Sequence, residues 1–151
     1  MRGEGGFNVF FYGSYIPLQG IEHVLKAAEI LQDQDTNVHF TLVGSGQLYA
    51  SMRKLADELR LRNVTFKEFV PLQELPKLMG GTDLCLGIFA ETEKAKRVIP
   101  HKVYDAVAMG IPVITMDSPA IREKFATHPN VLLIPAGNPQ AIAEKILQQI
   151  R

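Results

Sequence analysis

Two charged residues three positions apart, Lys102 and Asp105, are the leading candidates for chemistry in this chain. They follow Pro100 in the stretch LGIFAETEKAKRVIPHKVYDAVAMGIPVI, residues 86–114, which reads as the end of a buried strand, a charged loop over 90–99, a helix opening at Pro100, and a second buried strand. Proline at the first helical position gives up an N–H that would go unpaired, and the amides of His101, Lys102 and Val103 are then expected to point outward. Such a terminus carries about half a positive charge and is suited to anions. Lys94, Lys96, Arg97, His101 and Lys102 surround it, offset in part by Glu91 and Glu93, so a phosphate is the ligand this chemistry favours. A cation in the first turn opposes the helix dipole and costs stability unless an anion is bound. The spacing puts Lys102 and Asp105 on one face. They read equally as a surface pair in the less favourable basic-before-acidic order, or as a functional pair whose acid accepts hydrogen bonds from a sugar's vicinal hydroxyls. The basic run 94–97 has its own plain alternative, a solvated loop.

Composition narrows the classes. The 151 residues suffice for one domain, burying roughly two-thirds of its unfolded surface. Sixteen basic and sixteen acidic residues give a formal net charge of zero, so no global field recruits nucleic acid or an anionic membrane. The single cysteine, Cys85, lies in an apolar run; it excludes an intramolecular disulfide and fits a reducing, cytoplasmic setting. No apolar run approaches the ~20 residues of a membrane span, and no signal-peptide core is present. MRGEGG, residues 1–6, reads as a linker, leaving 7–151 as the domain. His23, His39 and His128 do not cluster at metal spacing, so no metal is expected. No nucleophile elbow, Walker loop or zinc pattern occurs. Gly44-Ser45-Gly46 resembles half of a dinucleotide fingerprint, but Tyr49 occupies the third glycine position; a tight strand-to-helix turn is the better reading.

The elements that must position these residues alternate along the chain. FNVFFYG, residues 7–13, is a nearly continuous apolar run suited to a strand buried on both faces. Leu18, Ile21, Leu25, Ala28 and Leu31 then follow helical spacing. Strands are expected at 37–44, 63–70, 83–89, 111–115 and 130–134, with intervening helices after 46, over 71–79, from Pro100 to Met109, and from Ser118; a last helix spans 139–150. Six strands alternating with helices predict an α/β, doubly wound, Rossmann-like parallel sheet with helices on both faces. In the commonest order, 3-2-1-4-5-6, the chain reverses between strands one and four, and ligands bind outside their carboxyl ends. The loops there are 13–18 and 90–100, which brings fold and chemistry to one place.

At these residues the sequence resembles the C-terminal, donor-binding domain of GT-B glycosyltransferases of family 4, the glycosyl transferases group 1. FFYGSYIPLQGIEHVLKAAEIL, FTLVGSGQLYASMRKLADEL and VIPHKVYDAVAMGIPVIT carry the likeness over nearly the whole chain. The resemblance implies one half of a GT-B fold, with the nucleotide-sugar at the carboxyl ends of the strands and the acceptor on a separate N-terminal domain, expected on the same polypeptide. Asp105 matches the second acid of the family's glutamate, seven residues, glutamate motif, the ribose ligand. Arg97 stands where the first glutamate belongs, so Glu91 or Glu93 is the expected source of the catalytic acid. The family often has an arginine and a lysine on the diphosphate where this chain has Ser14 and Gln19, while the facing loop carries Lys94, Lys96, Arg97 and Lys102. The positive charge is therefore expected to have moved across the cleft. The implied diphosphate set is Gly13, Ser14, Gln19, Arg97, Ile99, Pro100, His101, Lys102 and Val103, with Val70 meeting the base.

What the resemblance implies is transfer of a sugar from a nucleoside-diphosphate sugar with retention, without a metal or other cofactor, and with no activity from the isolated domain. Two alternatives stand beside it: a non-hydrolysing sugar-nucleotide 2-epimerase, which shares the two-domain architecture, and a non-catalytic nucleotide-binding module, which the Arg97 substitution keeps open.

Overall fold

The computed structural model describes residues 6–150. Its six strands are β1 Phe7–Tyr12, β2 Val38–Val43, β3 Val64–Lys67, β4 Leu84–Leu86, β5 Val113–Met116 and β6 Val131–Ile134. They form one sheet in the order β3-β2-β1-β4-β5-β6 with every pairing parallel. The seven helices are α1 Ile21–Asp33, α2 Tyr49–Glu58, α3 Leu75–Gly80, α4 Glu93–Lys96, α5 His101–Ala108, α6 Pro119–Phe125 and α7 Pro139–Ile150. None of the described helices is long and apolar enough to cross a membrane.

The period-two pattern of the strands separates two layers. Phe7, Val9 and Phe11 of β1 and Val38, Phe40 and Leu42 of β2 pack with Val24, Leu25 and Leu31 of α1 and Ile142 and Ile146 of α7. Phe10, Cys85 and Val113 face the other way, onto Met79, Val103, Ala106 and Ile121 of α3, α5 and α6. Helices thus cover both faces, as the near-continuous apolar strands require. Cys85 sits in the second layer, and burial pushes its thiol up to about 12.

Three local features differ from the sequence-based expectation. The charged loop holds a helical turn, α4: Thr92 Oγ1 accepts the Ala95 amide at 3.1 Å, and Ala95 is buried against Ile88, Ala90 and Met116. The expected helix over 71–79 divides into a 3₁₀ turn, Leu72–Glu74, and α3, with Pro76 in the first turn of α3. Pro100 is the N-cap of α5 rather than its first residue, with extended backbone at φ −67° and ψ 146°. The last shift matters at the site, because the Val103 amide donates back to the Pro100 carbonyl at 3.0 Å and does not point outward. The amides of His101 and Lys102 remain ahead of the first intrahelical bond.

Candidate functional site

Gly13 ends β1 and Gly44 ends β2, and the two loops interlock. The Gly13 amide donates to the Val43 carbonyl at 3.0 Å, Tyr15 to Ser45 at 2.9 Å and Leu48 to Tyr15 at 2.8 Å. A Cβ at Gly44, where φ is +141°, would stand 1.9 Å from the Gly13 carbonyl oxygen, so only glycine lets the loops meet. Gly44-Ser45-Gly46 is therefore the tight turn expected of it. A cleft of about 270 Å³ opens over these glycines, with Ser14, Glu68, Phe69 and Val70 on its rim. It lies at the carboxyl ends of β1, β2 and β3.

Helix α5 brings Lys102 and Asp105 to the end of β1 by different routes. The Lys102 side chain runs inward and is 7% exposed. Its ammonium donates to the Tyr12 carbonyl at 3.1 Å and to Gln19 Oε1, and lies 3.9 Å from the centre of the Phe11 ring. All three partners are neutral. Desolvation therefore holds the Lys102 pKa well below the ordinary lysine value. Asp105 is exposed and accepts a hydrogen bond from the Tyr12 hydroxyl. Burial, then the Asp105 bond and charge, raise the Tyr12 phenol.

Tyr12 is thus the residue that sequence reasoning missed. Its backbone carbonyl holds Lys102 and its hydroxyl holds Asp105, and it lines both the glycine cleft and a second, apolar hollow of about 430 Å³ that Leu75, Met79 and Met109 also line. The available signal was an aromatic with a polar tip at the last position before the strand-ending glycine.

The other expected site residues separate into groups. Gly13 and Gln19 stand beside Lys102: a Cβ built on Gly13 would lie 3.0 Å from Lys102 Nζ and 2.9 Å from Gln19 Nε2. Gln19 closes a 3₁₀ turn, Pro17–Gln19, and its carbonyl accepts the Phe89 amide at 3.0 Å, which binds the β1 loop to the end of β4. Ser14 and Val70 line the glycine cleft. Ile99 and Pro100 lead into α5 half-buried, and His101 is exposed at its start. Arg97 lies elsewhere, in a depression shared with Glu93, Lys96, Pro119 and Glu123. Glu93 pairs with Lys96 at 3.3 Å. Glu91 turns onto the β6–α7 connection, where a Cβ at Gly137 would be 2.3 Å from its Oε1. Among the described residues no group of three or more His, Cys, Asp or Glu is placed to hold a metal ion.

Comparison with known proteins identifies the family and the fold. Residues 6–151 match the family described as glycosyl transferases group 1. The colanic acid biosynthesis glycosyl transferase WcaI of Escherichia coli is 30% identical over 102 residues, 68% of this chain and 24% of that protein. The amylovoran biosynthesis glycosyltransferase AmsK of Erwinia amylovora is 25% identical over 132 residues, 86% of this chain and 32% of that protein. The chain thus spans about a quarter to a third of the length of these relatives. In structure it is similar to HepE of Anabaena, solved with UDP and glucose, at a TM-score of 0.82 and 20% identity over 99% of this chain and 41% of that one. It is also similar to the C-terminal domain of the group 1 glycosyl transferase LpcC of Francisella tularensis, at a TM-score of 0.78 and 18% identity over 97% and 76%. With a doubly wound sheet, glycine-lined loops at its switch point and this match along its length, the chain belongs to the glycosyl transferases group 1.

Proposed function

We propose that this chain is the donor-binding half of a retaining glycosyltransferase that moves a sugar from a nucleoside-diphosphate sugar to an acceptor carried by a separate N-terminal domain of the same polypeptide. One observation carries the reading: α5 presents a buried ammonium and an exposed carboxylate, both anchored to Tyr12, at the point where the sheet order reverses. The carboxylate of Asp105 suits the ribose hydroxyls. Backbone at Val70 suits the base. Lys102 and the first amides of α5 suit the diphosphate, whose leaving-group charge grows as the glycosidic bond breaks; donors fixed in advance stabilise that charge without reorganising. They would do so without a metal. HepE solved with UDP-glucose supports the same ligand class here.

Arg97 and Glu93 in a depression of their own favour a second reading, a nucleotide-binding half without catalytic power. A thermal-shift panel of UDP, GDP and ADP with their sugars tests donor binding. Stabilisation by one nucleotide series over equal concentrations of inorganic phosphate is expected; no shift with any of them would remove the donor-binding reading. The 151-residue chain is expected to bind weakly and to transfer nothing, because half of the cleft belongs to the acceptor domain; turnover by this chain alone would overturn that. In the longer protein, loss of transfer on replacing Glu91 or Glu93 with Gln would identify the acid, and wild-type nucleotide-sugar binding with neither transfer nor hydrolysis would establish the second reading. Cytoplasmic residence follows if the donor is drawn from the cytosolic nucleotide-sugar pool.

A further inference from the structure

Glu68 brings the one carboxylate to the rim of the glycine cleft among the described residues, and no lysine or arginine lines that cleft with it. Its Oε2 accepts the Ser45 hydroxyl at 3.2 Å. A carboxylate accepts at about four lone-pair sites and donates at none, so most of its capacity remains for a ligand. Glu68, Phe69 and Val70 follow β3 consecutively and all three line the cleft, with Phe69 largely exposed. The β3 side of the cleft therefore sets an acceptor-only edge next to an aromatic face. An acidic edge repels a phosphate and favours the part of a ligand that carries N–H donors. Nucleobases differ there. Uracil has one N–H flanked by two carbonyl oxygens, and adenine and cytosine have an amino group beside a ring-nitrogen acceptor. Guanine sets a ring N–H and an amino group side by side, a two-donor fork that a carboxylate can accept with both oxygens.

We propose that this cleft selects guanine: Glu68 accepts the N1–H and the 2-amino group of the base, Ser45 is a positioning residue that fixes the carboxylate, and the Phe69 ring stacks on the base. The donor is then a GDP-sugar, an assignment that rests on the proposed donor-binding function. The arrangement explains why a carboxylate lines a cleft whose ligand is an anion, and why an aromatic ring stands exposed beside it.

NMR titration of this chain, which suits weak ligands, gives dissociation constants for GDP, UDP, ADP and IDP, the last being GDP without its 2-amino group. GDP should bind about 10-fold or more tightly than UDP or ADP, the size of one bidentate base contact, with IDP several-fold weaker than GDP. Glu68→Gln should weaken GDP about 10- to 100-fold and bring GDP and IDP together, because its amide offers donors where the base has donors. UDP affinity should hold or improve in the same variant. Ser45→Ala should narrow the preference for GDP over UDP and Ser45→Thr, which keeps the hydroxyl, should restore it; a merely structural serine would move all four nucleotides together. Phe69→Ala should weaken every nucleotide alike, since each base has a face to stack. UDP or ADP bound as tightly as GDP, GDP affinity unchanged in Glu68→Gln, or an equal loss for all four nucleotides in that variant would overturn the guanine assignment and leave donor binding standing. Should Glu68→Gln fail to fold, the wild-type comparison of GDP with IDP carries the test, and equal affinities would remove the contact. Binding of none of the four would remove the donor reading and the guanine assignment with it.

Discussion

Lys102 and Asp105 sit one helical turn apart and yet meet opposite environments. Asp105 stays at the surface, where Tyr12 fixes one of its oxygens. Tyr12→Phe removes that bond and should cost about 1 kcal/mol of stability; a urea titration checks this, and nucleotide affinity should fall with it because the carboxylate is freed to rotate. Lys102 is charged in the unfolded chain below its ordinary value of 10.5 and resists charging in the fold. Between its depressed folded value and 10.5 the unfolded chain therefore holds the extra proton, and its penalty on stability is full below that window and fades as pH rises through it. The raised Cys85 and Tyr12 groups act in the opposite sense, losing stability above their unfolded values. The difference in melting temperature between wild type and Lys102→Met isolates the lysine: the wild type should gain on the variant as pH rises toward the ordinary lysine value of 10.5.

At the scale of elements, two turns shape the loops that follow the strands. Thr92 caps α4, and Thr92→Ala should cost about 1 kcal/mol locally, read as faster hydrogen exchange at the Ala95 and Lys96 amides with little change in the global transition. The sequence carried this signal, a threonine three residues before a buried alanine, but the density of charge around it reads as a loop when no packing partner is visible. Gly44 is the stricter case. Gly44→Ala pushes a methyl into the Gly13 carbonyl at a nominal 1.9 Å, so the β1 and β2 loops must separate; the expected outcome is a variant that folds poorly or melts several degrees lower, and a wild-type melting curve would overturn the claim that only glycine lets the loops meet.

For the whole molecule, the strand order 3-2-1-4-5-6 sets the cleft at the carboxyl ends of the strands, where the order reverses. Phe69, 80% exposed, lines it, and Leu72, 78% exposed, lines the neighbouring apolar hollow. If, as proposed, an acceptor domain faces this cleft in a longer protein, nucleotide affinity should be higher in that protein than in this chain, since a second wall excludes water from the same ligand; equal affinity in both forms would count against that proposal.

The alternation of apolar strands and amphipathic helices was legible in the sequence because it follows from chain-local periods of two and 3.6, and with right-handed crossovers those periods leave few sheet orders. The glycines at 13 and 44 and the proline before α5 were legible for the same reason: each acts on its own backbone. What only the tertiary structure decided is which way the long side chains turn. Lys102 is as compatible with solvent as with the interior by spacing alone; it goes inward because Tyr12, Phe11 and Gln19, some 80 to 90 residues away, offer a carbonyl, a ring and an amide at one point. Arg97 and Asp105, eight apart in sequence, go to different hollows because Arg97 closes α4 while Asp105 lies on α5, which starts only after the extended Pro100. Local sequence sets where an element begins and which face is apolar, whereas a polar group's partners come from distant parts of the chain, and those partners define the site.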